Sequence, residues 1–508
     1  MTLPELLHQS AAAHPAKAAI VAGARAVTYG ALAAEAASLA AVLRGCGLRP
    51  DERVVMMLPN GPEFVATYFA IQEAGGTVVP ANILFKPDEV RHLLQDSGAS
   101  LAVTVRAFAP TVRAAAVASA GRQPAGRARV LILDGEEGTV VGPDLTLAEG
   151  RRRAAFAPAP AAAAAVAACL YTSGTTGRPK GALLTHANIL ANIAAFGQVI
   201  RCGPEDVFCC VLPLFHSFAA TVMMLFPLSI GATVVVEPRF APDSLLRTLG
   251  ARRCTVFAGV PAMYALLASL PEVPADLSAL RLCVSGGAPL PVEVLRRFEA
   301  RYGIPIYEGY GPTECSPALT VNPPFGKRKV GSVGLPLPGV EIRVVDERGA
   351  PVPVGEVGEV IAKGPNVMLG YLNRPEETAA VLRDGWFHTG DLGCLDAEGY
   401  LTIVDRKKDM LIVGGLNVYP REVETVLEAH PAVAEAAVIG LPDPVKGEQP
   451  VAFVVRRPGE SPAAPDLLRY LRERLAPFKV PKRITFLDTL PRNATGKVLK
   501  QALKAQPR

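Results

Sequence analysis

The feature that most constrains the fold of this 508-residue chain is a short apolar run that opens into a loop of glycines and hydroxyls. The run Val166-Ala-Ala-Cys-Leu-Tyr171 is typical of a buried strand, and Tyr171–Gly181 reads Tyr-Thr-Ser-Gly-Thr-Thr-Gly-Arg-Pro-Lys-Gly. Glycines let backbone N–H groups converge on an anion, hydroxyls donate further hydrogen bonds, and Lys180 adds a positive charge. The spacing does not fit the G-x-x-x-x-G-K-[ST] phosphate loop. Composition alone therefore leaves a phosphate site and an ordinary polar surface loop both open.

The sequence around this loop predicts a parallel α/β architecture, because strand and helix patterns alternate along the chain. The predicted helices are Tyr29–Leu48, a segment from Glu63, a segment from near His186, Asp243–Leu249 and Val292–Tyr302. The predicted strands are Arg53–Leu58, Thr77–Pro80, Val207–Leu212, Thr233–Val236, Thr255–Ala258 and Leu282–Val284. Residues 107–165 are rich in Ala, Arg, Pro and Gly, which predicts a loose surface connection.

The pattern changes near residue 335. Val340–Val345 and Gly358–Ala362 are separated by a turn signal, which predicts an antiparallel meander. Beyond residue 405 a smaller unit follows, with a helix from Pro420, a strand at Val433–Ile439 and a helix at Ala464–Leu475. We therefore expect a domain of residues 1–405, with parallel α/β layers and a small β-barrel-like meander. A small mobile α+β domain of residues 406–508 is expected to follow it.

The net charge, the cysteine spacing and the apolar stretches argue against several classes of partner and location. The chain has 52 Lys and Arg against 47 Asp and Glu, a net charge of +5, and no basic stripe with interleaved aromatics, so no nucleic-acid partner is expected. The nine dispersed cysteines lack zinc or C-x-x-C spacing, which is typical of reduced thiols in the cytoplasm. The N-terminus lacks a secretory pattern, and Pro227 and Gly231 interrupt the longest apolar stretch, Thr221–Val236. We expect a cytoplasmic protein without stable membrane insertion, monomeric or homodimeric.

Two further segments carry the residue types that a nucleotide site needs. Ser285-Gly-Gly-Ala-Pro289 follows a predicted strand, where a flat ligand could lie against the backbone, although a tight turn without a ligand fits equally well. Tyr307-Glu-Gly-Tyr-Gly-Pro-Thr-Glu314 places an aromatic ring, a hydroxyl and a carboxylate within five residues. Such a set can stack a purine, donate to phosphate and hold Mg²⁺ through oxygen.

Together these segments resemble the signatures of the adenylate-forming superfamily, which includes acyl-CoA synthetases, luciferases and peptide-synthetase adenylation domains. The resemblance runs from Tyr171 to Lys497 with the motifs in order. It implies that Tyr310 packs on adenine, that Thr313 binds the α-phosphate and that Glu314 binds Mg²⁺, which makes Glu314 both a metal ligand and a catalytic residue. The remaining ATP-binding residues that it implies are Thr172, Ser173, Gly174, Thr175, Thr176, Gly177, Lys180, Gly287, Ala288, Pro289, Glu308, Gly309 and Gly311, of which Thr175 is also assigned a catalytic role.

The resemblance assigns further residues toward the C-terminus. Asp391 would accept the ribose hydroxyls and Arg406 would serve the ribose–phosphate side, while Trp386 and His388 are interpreted as packing residues. Lys408 matches the pivot about which family members rotate the C-terminal domain. Gly414 and Gly415 resemble the stretch that lines the pantetheine tunnel of coenzyme A. Lys497 matches the catalytic lysine that reaches the carboxylate and the α-phosphate, although a lysine on such a loop is often plain surface.

The expected activity is ATP-dependent activation of a carboxylic acid to acyl-AMP, followed by transfer to coenzyme A. The segment Pro213–Ala220 resembles the border of the acyl pocket, where His216 is either a gate beside the carboxylate or a core histidine. Phe218 and Ala219 stand where peptide-synthetase domains carry an aspartate, so a buried ammonium would lack a partner and an amino-acid substrate is disfavoured.

A fatty or alicyclic acid fits best, because the segments expected to line the pocket, Val260–Met263 and Cys315–Pro317, are small or apolar. The segments Glu308–Pro317 and Gly414–Pro420 most resemble those of bacterial fatty-acyl-CoA ligases. An aryl acid is a close alternative, and a dicarboxylic acid or a carrier-protein acceptor stays open. A non-enzymatic nucleotide-binding regulator is disfavoured, because Glu314, Asp391 and Lys497 are all retained.

Overall fold

The computed structural model of the chain describes residues 1–119, 128–134, 145–146, 162–173, 179–271, 273, 275–414, 416–443, 447–492 and 498–504. Within these ranges the α-helices are α1 (Leu3–Ala13), α2 (Tyr29–Gly45), α3 (Pro62–Glu73), α4 (Pro87–Ser97), α5 (Ala109–Ser119), α6 (His186–Ile200), α7 (Phe226–Ser229), α8 (Pro242–Ala251), α9 (Pro261–Ser269), α10 (Val292–Tyr302), α11 (Pro375–Val381), α12 (Pro420–Glu428), α13 (Ala464–Arg472) and α14 (Lys500–Lys504). A π-helical segment, Ala219–Leu225, runs into α7, and Thr313–Cys315 forms a 3₁₀ turn.

The strands of the first half are β1 (Ala18–Ala22), β2 (Arg25–Thr28), β3 (Arg53–Met57), β4 (Thr77–Pro80), β5 (Leu101–Thr104), β6 (Arg129–Ile132), β7 (Leu145–Thr146), β8 (Val166–Ser173), β9 (Pro179–Thr185), β10 (Val207–Cys210), β11 (Thr233–Val236), β12 (Val256–Gly259) and β13 (Leu282–Ser285). Those of the second half are β14 (Ile306–Tyr310), β15 (Thr320–Val321), β16 (Leu335–Pro336), β17 (Glu341–Val345), β18 (Gly358–Lys363), β19 (Gly370–Tyr371), β20 (Leu382–Arg383), β21 (Trp386–Leu395), β22 (Leu401–Arg406), β23 (Leu411–Val413), β24 (Leu416–Val418), β25 (Val433–Asp443), β26 (Gly447–Arg456) and β27 (Arg483–Leu487).

Two large sheets carry the N-terminal part of the chain. The first has the order β19-β9-β8-β4-β3-β5-β6-β7, parallel from β8 to β7 and antiparallel at β9 and β19. The second has the order β16-β15-β14-β13-β12-β10-β11-β1-β2, parallel from β14 to β1. The prediction of parallel α/β layers is confirmed.

The core lies in three layers around these sheets. Helices α2, α3 and α6 belong to the central cluster, which takes side chains such as Val54 from the first sheet and Phe208 from the second. Helices α4 and α5 cover the outer face of the first sheet, and α8, α9 and α10 cover that of the second. Each fully buried Leu, Val or Phe contributes about 1.5–3 kcal/mol, so the packing holds the sheets and the loops at their ends in fixed positions.

Two smaller sheets follow. Strands β17, β18, β20, β21 and β22 form an antiparallel sheet, as the sequence predicts. Strands β23 to β27 form the C-terminal sheet, in which β26 and β27 are parallel, and α12 and α13 pack on it. The expected domain division at 405–406 lies at the end of β22 and stays a prediction.

The interpretation of residues 107–165 as a loose connection is wrong for the part that the structure describes. Helix α5 buries Ala109, Val112, Ala115 and Ala116, and β6 pairs in parallel with β5. The alanine-rich composition that suggests a linker is also what lets a helix approach a sheet closely. The three consecutive arginines of this region, Arg151, Arg152 and Arg153, lie outside the described residues.

The bounds of the predicted elements agree with the structure to within a few residues. All nine cysteines are free thiols, seven of them buried. None of the described helices combines the length and the apolar character that crossing a bilayer requires. The predicted helix Tyr29–Leu48 ends at Gly45, and the predicted strand Val207–Leu212 ends at Cys210.

Candidate active site

Both ends of the segment Tyr171–Gly181 belong to one hairpin, which is formed by β8 and β9. Tyr171 pairs with Gly181 and Thr172 pairs with Lys180 across β8 and β9, so a strand separates the loop from α6, where the sequence suggested a helix alone. A side chain at position 181 would place its Cβ 2.5 Å from Sγ of Cys169, which explains the glycine. Thr172 and Lys180 line a cavity, whereas Gly174, Thr175, Thr176 and Gly177 lie outside the described residues and Ser173 is described only by its backbone.

The cavity has a volume of about 1240 Å³ and receives side chains from both large sheets, from β21 and β22, and from the C-terminal part of the chain. Of the predicted site residues, those that line it are Thr172, Lys180, His216, Gly287, Gly309, Tyr310, Gly311, Thr313, Glu314, Asp391, Arg406 and Lys408. The structure therefore brings together twelve residues that span 237 positions of sequence, from 172 to 408.

The segment Tyr307–Glu314 enters the cavity at the end of β14. Gly311 is required sterically, because a Cβ there would lie 1.8 Å from the backbone oxygen of Pro317. The Thr313 hydroxyl lies 3.1 Å from that of Ser217. Oε1 of Glu314 accepts hydrogen bonds from the hydroxyls of Thr172, at 3.3 Å, and Tyr371, at 2.8 Å. The sequence analysis missed Tyr371, because no motif marks the short strand that carries it.

Asp391 and Arg406 are cross-strand partners in β21 and β22. Nε of Arg406 lies 3.4 Å from Oδ1 of Asp391, and the Tyr310 hydroxyl donates to Oδ2 at 2.6 Å. Burial and the adjacent Asp391 carboxylate raise the pKa of Tyr310 well above its ordinary value, so its proton stays on the phenol. This places a tyrosine ring, a carboxylate and a guanidinium side by side.

The small-residue turn after β13 lies across from these groups. Gly287 lines the cavity with φ +78°, which favours glycine, and a Cβ at Gly286 would lie 3.3 Å from the Phe218 ring. Ala288, Pro289 and Glu308 are absent from the described residues that line the cavity. Glu308 is buried and accepts a hydrogen bond from the Leu290 N–H at 2.9 Å, and burial raises its pKa to about 7.

The residues predicted from the C-terminal part are only partly described. Lys408 lines the cavity, and burial together with the Arg406 guanidinium lowers its pKa. Gly414 lies in the β23–β24 turn, away from the described cavity wall, and Gly415 and Lys497 lie outside the described residues. Residues 492 and 498, which flank the segment of Lys497, form an antiparallel bridge, and Leu499 lines the cavity.

His388 corrects one interpretation of the sequence. Trp386 packs as expected, with Arg343 4.4 Å from its ring centre, but His388 faces the cavity and its Nδ1 lies 3.4 Å from Oε2 of Glu359. Lys407 contacts the same Glu359 oxygen at 3.0 Å. Although burial alone would raise the pKa of Glu359, its contacts with Lys407 and His388 lower it. The alternation along β21 places Trp386 and His388 on one face, so strand position alone does not distinguish the packed tryptophan from the histidine of the cavity.

An apolar wall closes another side of the cavity. It consists of Phe196, Phe215, Phe218, Val222, Val284, Pro317, Ala318 and Val321. All but Pro317 belong to or pack against the central core cluster, so the wall is continuous with the core. His216 stands at its edge, where Nδ1 accepts a hydrogen bond from the Phe218 N–H at 3.2 Å, leaving the proton on Nε2.

Among the described residues no group of three or more His, Cys, Asp and Glu side chains could hold a metal ion by itself. A single carboxylate, Glu314, suits Mg²⁺, because that ion is usually held by one or two carboxylates together with substrate phosphates and water.

Comparisons with known proteins agree with this geometry. A family model described as AMP-binding enzyme matches residues 7–372, and one described as AMP-binding enzyme C-terminal domain matches residues 422–497. A feruloyl-CoA synthase of Amycolatopsis sp is 41% identical over 488 residues, which are 96% of this chain and 95% of that protein. A long-chain-fatty-acid–CoA ligase of Bacillus subtilis (strain 168) is 38% identical over 526 residues, covering 99% and 94%. The crystal structure of ATP-bound MatB from Rhodopseudomonas palustris superposes with a TM-score of 0.90 at 36% identity, covering 99% and 98%.

Proposed function

Because the chain belongs to the family of AMP-binding enzymes and is an AMP-forming acid–thiol ligase, we propose that it activates a predominantly apolar carboxylic acid that carries no second charged group. The acid is converted with ATP to its acyl-adenylate and then with coenzyme A to its thioester. The observation that carries the choice of acid is the apolar wall. None of the described residues that form it is charged, and it shares one cavity with the polar groups of the nucleotide motifs.

The polar groups suit an adenosine nucleotide. The ring of Tyr310 offers a face for adenine, and the Asp391 carboxylate, which Tyr310 and Arg406 already orient, offers acceptors for two ribose hydroxyls. Thr172, Lys180 and Thr313 supply donors for phosphate oxygens. Glu314 would hold Mg²⁺, which when bound neutralises negative charge on the phosphates.

The chemistry joins two anions. A carboxylate oxygen attacks the α-phosphorus of ATP, and the bond from that phosphorus to the oxygen of pyrophosphate breaks. The thiolate of coenzyme A then attacks the acyl carbon, and the bond to the AMP oxygen breaks. Cationic and dipolar groups that are already in place reduce the repulsion in the first step, and a single well-placed donor is worth about 3–4 kcal/mol.

We assign the largest share of this stabilisation in the first step to Lys497. The support is positional: Leu499, two residues after Lys497, lines the same cavity as Lys180 and Thr313. Lys408, which lies in the turn after β22, is proposed as the pivot that exchanges the C-terminal domain between the two half-reactions. Gly414 and Gly415 would then face the pantetheine arm in the second arrangement.

A fatty acid is the first candidate substrate, because a methylene chain needs only an apolar surface. An aryl acid is favoured by a separate observation: Phe196, Phe215 and Phe218 give the wall three aromatic rings, which can stack edge-to-face on a substrate ring. The feruloyl-CoA synthase relative supports this second candidate. A dicarboxylic acid would bury its second charge against the wall without a described partner, at a cost of several kcal/mol.

The test is a panel of palmitate, octanoate, benzoate, ferulate and succinate, each supplied with ATP, Mg²⁺ and coenzyme A, with AMP release and thioester formation measured together. We expect kcat/KM for the best apolar acid to exceed that for succinate by at least about a hundredfold. Preference for succinate would refute the proposed acid class. AMP release without formation of a coenzyme A thioester would refute the proposed acceptor.

A further inference from the structure

The side chain of Lys180 is held in place by neighbouring groups. Its ammonium forms an ion pair with the carboxylate of Glu377 and lies 5.2 Å from the centre of the Tyr371 ring. Only 12% of the side chain is exposed, although Lys180 borders the large cavity. The lysine that we propose binds phosphate is therefore also the partner of a carboxylate.

Glu377 is itself held from the far side. Its other carboxylate oxygen lies 3.6 Å from Nε of Arg374, and Nη2 of Arg374 lies 2.7 Å from Oδ1 of Asp96 on α4. Oδ2 of Asp96 accepts a hydrogen bond from the Tyr171 hydroxyl at 2.9 Å, at the start of the same hairpin that carries Lys180. Glu377 thus belongs to a chain of polar contacts that ties α11 to both strands of the loop hairpin.

The opposite side of Lys180 faces the residues that we propose bind the nucleotide. Tyr371, over which the ammonium lies, donates its hydroxyl to Glu314, and Thr172 donates to the same oxygen. Lys180, Thr172, Tyr371 and Glu314 all line the cavity, whereas the described residues that line it do not include Glu377. The lysine therefore lies between the cavity and the glutamate.

We infer that Glu377 acts as a latch on Lys180 and lowers the affinity of the chain for ATP. Its carboxylate holds the ammonium over Tyr371, and binding of the triphosphate transfers the ammonium from Glu377 to the phosphates. This inference rests on the proposed function, because it requires Lys180 to bind the phosphates of ATP.

The physical basis is competition for one cation. Binding of the triphosphate has to break or share the existing ion pair, and the Glu377 carboxylate then repels the incoming phosphate oxygens. Removing the carboxylate charge releases Lys180 and removes the repulsion, so both effects favour ATP. The opposite role, in which Glu377 aims Lys180 at the phosphates, predicts that the same removal weakens binding. The sign of the change distinguishes the two roles.

The decisive variant is Glu377→Gln, and α11 supplies a matched control. Glu376 is the neighbouring residue on the same helix and is exposed, so Glu376→Gln removes the same charge beside the site without touching Lys180. Helix α11 contains no buried residue, so neither change removes core packing. Binding of ATP in the presence of Mg²⁺ is measured by calorimetry without any acid, so the result does not depend on the identity of the substrate.

We expect Glu377→Gln to lower the Kd for ATP by about three- to tenfold, and Glu376→Gln to change it by less than about 1.5-fold. The gain should shrink as salt is raised to about 1 M, because a partly exposed charge is screened there. An unchanged or weaker affinity of Glu377→Gln overturns the latch. Equal gains in the two variants overturn it as well, since the effect would then be one of net charge.

A second background separates this inference from the proposed function. In Lys180→Met the affinity for ATP should fall by at least about tenfold, and adding Glu377→Gln should then gain less than it does in the parent chain, because only the repulsion of the phosphates is left to remove. If Lys180→Met binds ATP like the parent chain, the proposed role of Lys180 fails whatever Glu377 does. If Glu377→Gln raises the affinity for ATP as much in the Lys180→Met background as in the parent chain, the latch is wrong. The role of Lys180 in ATP binding is then decided by Lys180→Met alone.

Discussion

The polar half of the cavity, by which we mean the polar residues of the nucleotide motifs, comes mainly from three short segments, whereas the apolar wall is collected from elements that lie far apart in the chain. These segments contribute Thr172 and Lys180, then Gly309 to Glu314, then His388 to Asp391. The wall takes Phe196 from α6, Val284 from β13 and Val321 from β15. It also takes Phe218, which immediately precedes the π-helical segment. A polar site has to fix donors at defined distances, which contiguous backbone does well, while an apolar wall needs only volume and shape.

This difference predicts two classes of variant. A substitution in the polar half should change the rate for every acid by the same factor, because all acids share the nucleotide. A substitution in the apolar wall should change the choice among acids and leave the nucleotide kinetics intact. The three predictions below run from the largest expected effect to the smallest.

Lys497→Ala should give the largest effect. Loss of one preorganised cation at the α-phosphate is expected to lower the rate of acyl-adenylate formation by about 10²–10³, equally for all acids, and to spare thiolysis of a preformed acyl-adenylate. Pyrophosphate release and single-turnover thioester formation measure the two steps separately. Lys504→Ala, an exposed lysine on α14, is the control. Equal loss in both half-reactions would contradict the assignment.

Glu308→Gln tests whether Glu308, which lies inside a nucleotide motif, takes part in binding the nucleotide. The pKa of Glu308 is raised to about 7 by burial, above its ordinary value of 4.5, so the native chain binds more protons than the unfolded chain between these values. The stability that comes from the protonated form is complete below pH 4.5 and is lost as pH rises through about 7. Between about pH 5.5 and pH 8.5 the parent chain should lose about 2 kcal/mol from this group, and Glu308→Gln should not.

The measurement is the free energy of unfolding in urea at the two pH values, with Glu293→Gln, an exposed carboxyl on α10, as the control. We expect KM for ATP to change by less than about twofold in Glu308→Gln, because Glu308 lies behind the described cavity wall. A pH slope that survives in the variant would show that another group carries it. A large rise in KM would place Glu308 in the nucleotide site after all.

The same division explains what the sequence could predict. The motifs that contain Lys180, Glu314 and Asp391 could be predicted because their residue order resembles the family signatures, whereas composition alone left the role of the loop Tyr171–Gly181 open. Tyr371 and Glu377 were missed because their roles come from tertiary contacts with Glu314 and Lys180, 57 residues away in one case. The wall was missed in detail because Phe196 and Val222 look like ordinary core residues, and they are also part of the core. The strand Pro179–Thr185 was missed because its glycine and lysine, which fit a hairpin beside Cys169, have low strand propensity.

Phe218→Ala should give the smallest effect and the most selective one. Its ring packs against the turn at Gly286, within 3.3 Å of where a Cβ would stand, so its removal enlarges the acyl side of the cavity without touching Asp391 or Glu314. We expect the ratio of kcat/KM for a bulky acid to that for a small one, such as ferulate to benzoate, to rise by about tenfold, with KM for ATP unchanged. Phe325→Ala, whose side chain is 56% exposed, serves as the control. A uniform loss for all acids would mean that Phe218 supports the fold of the π-helical segment rather than the choice of acid, and the contrast between the two halves of the cavity would no longer hold at this position.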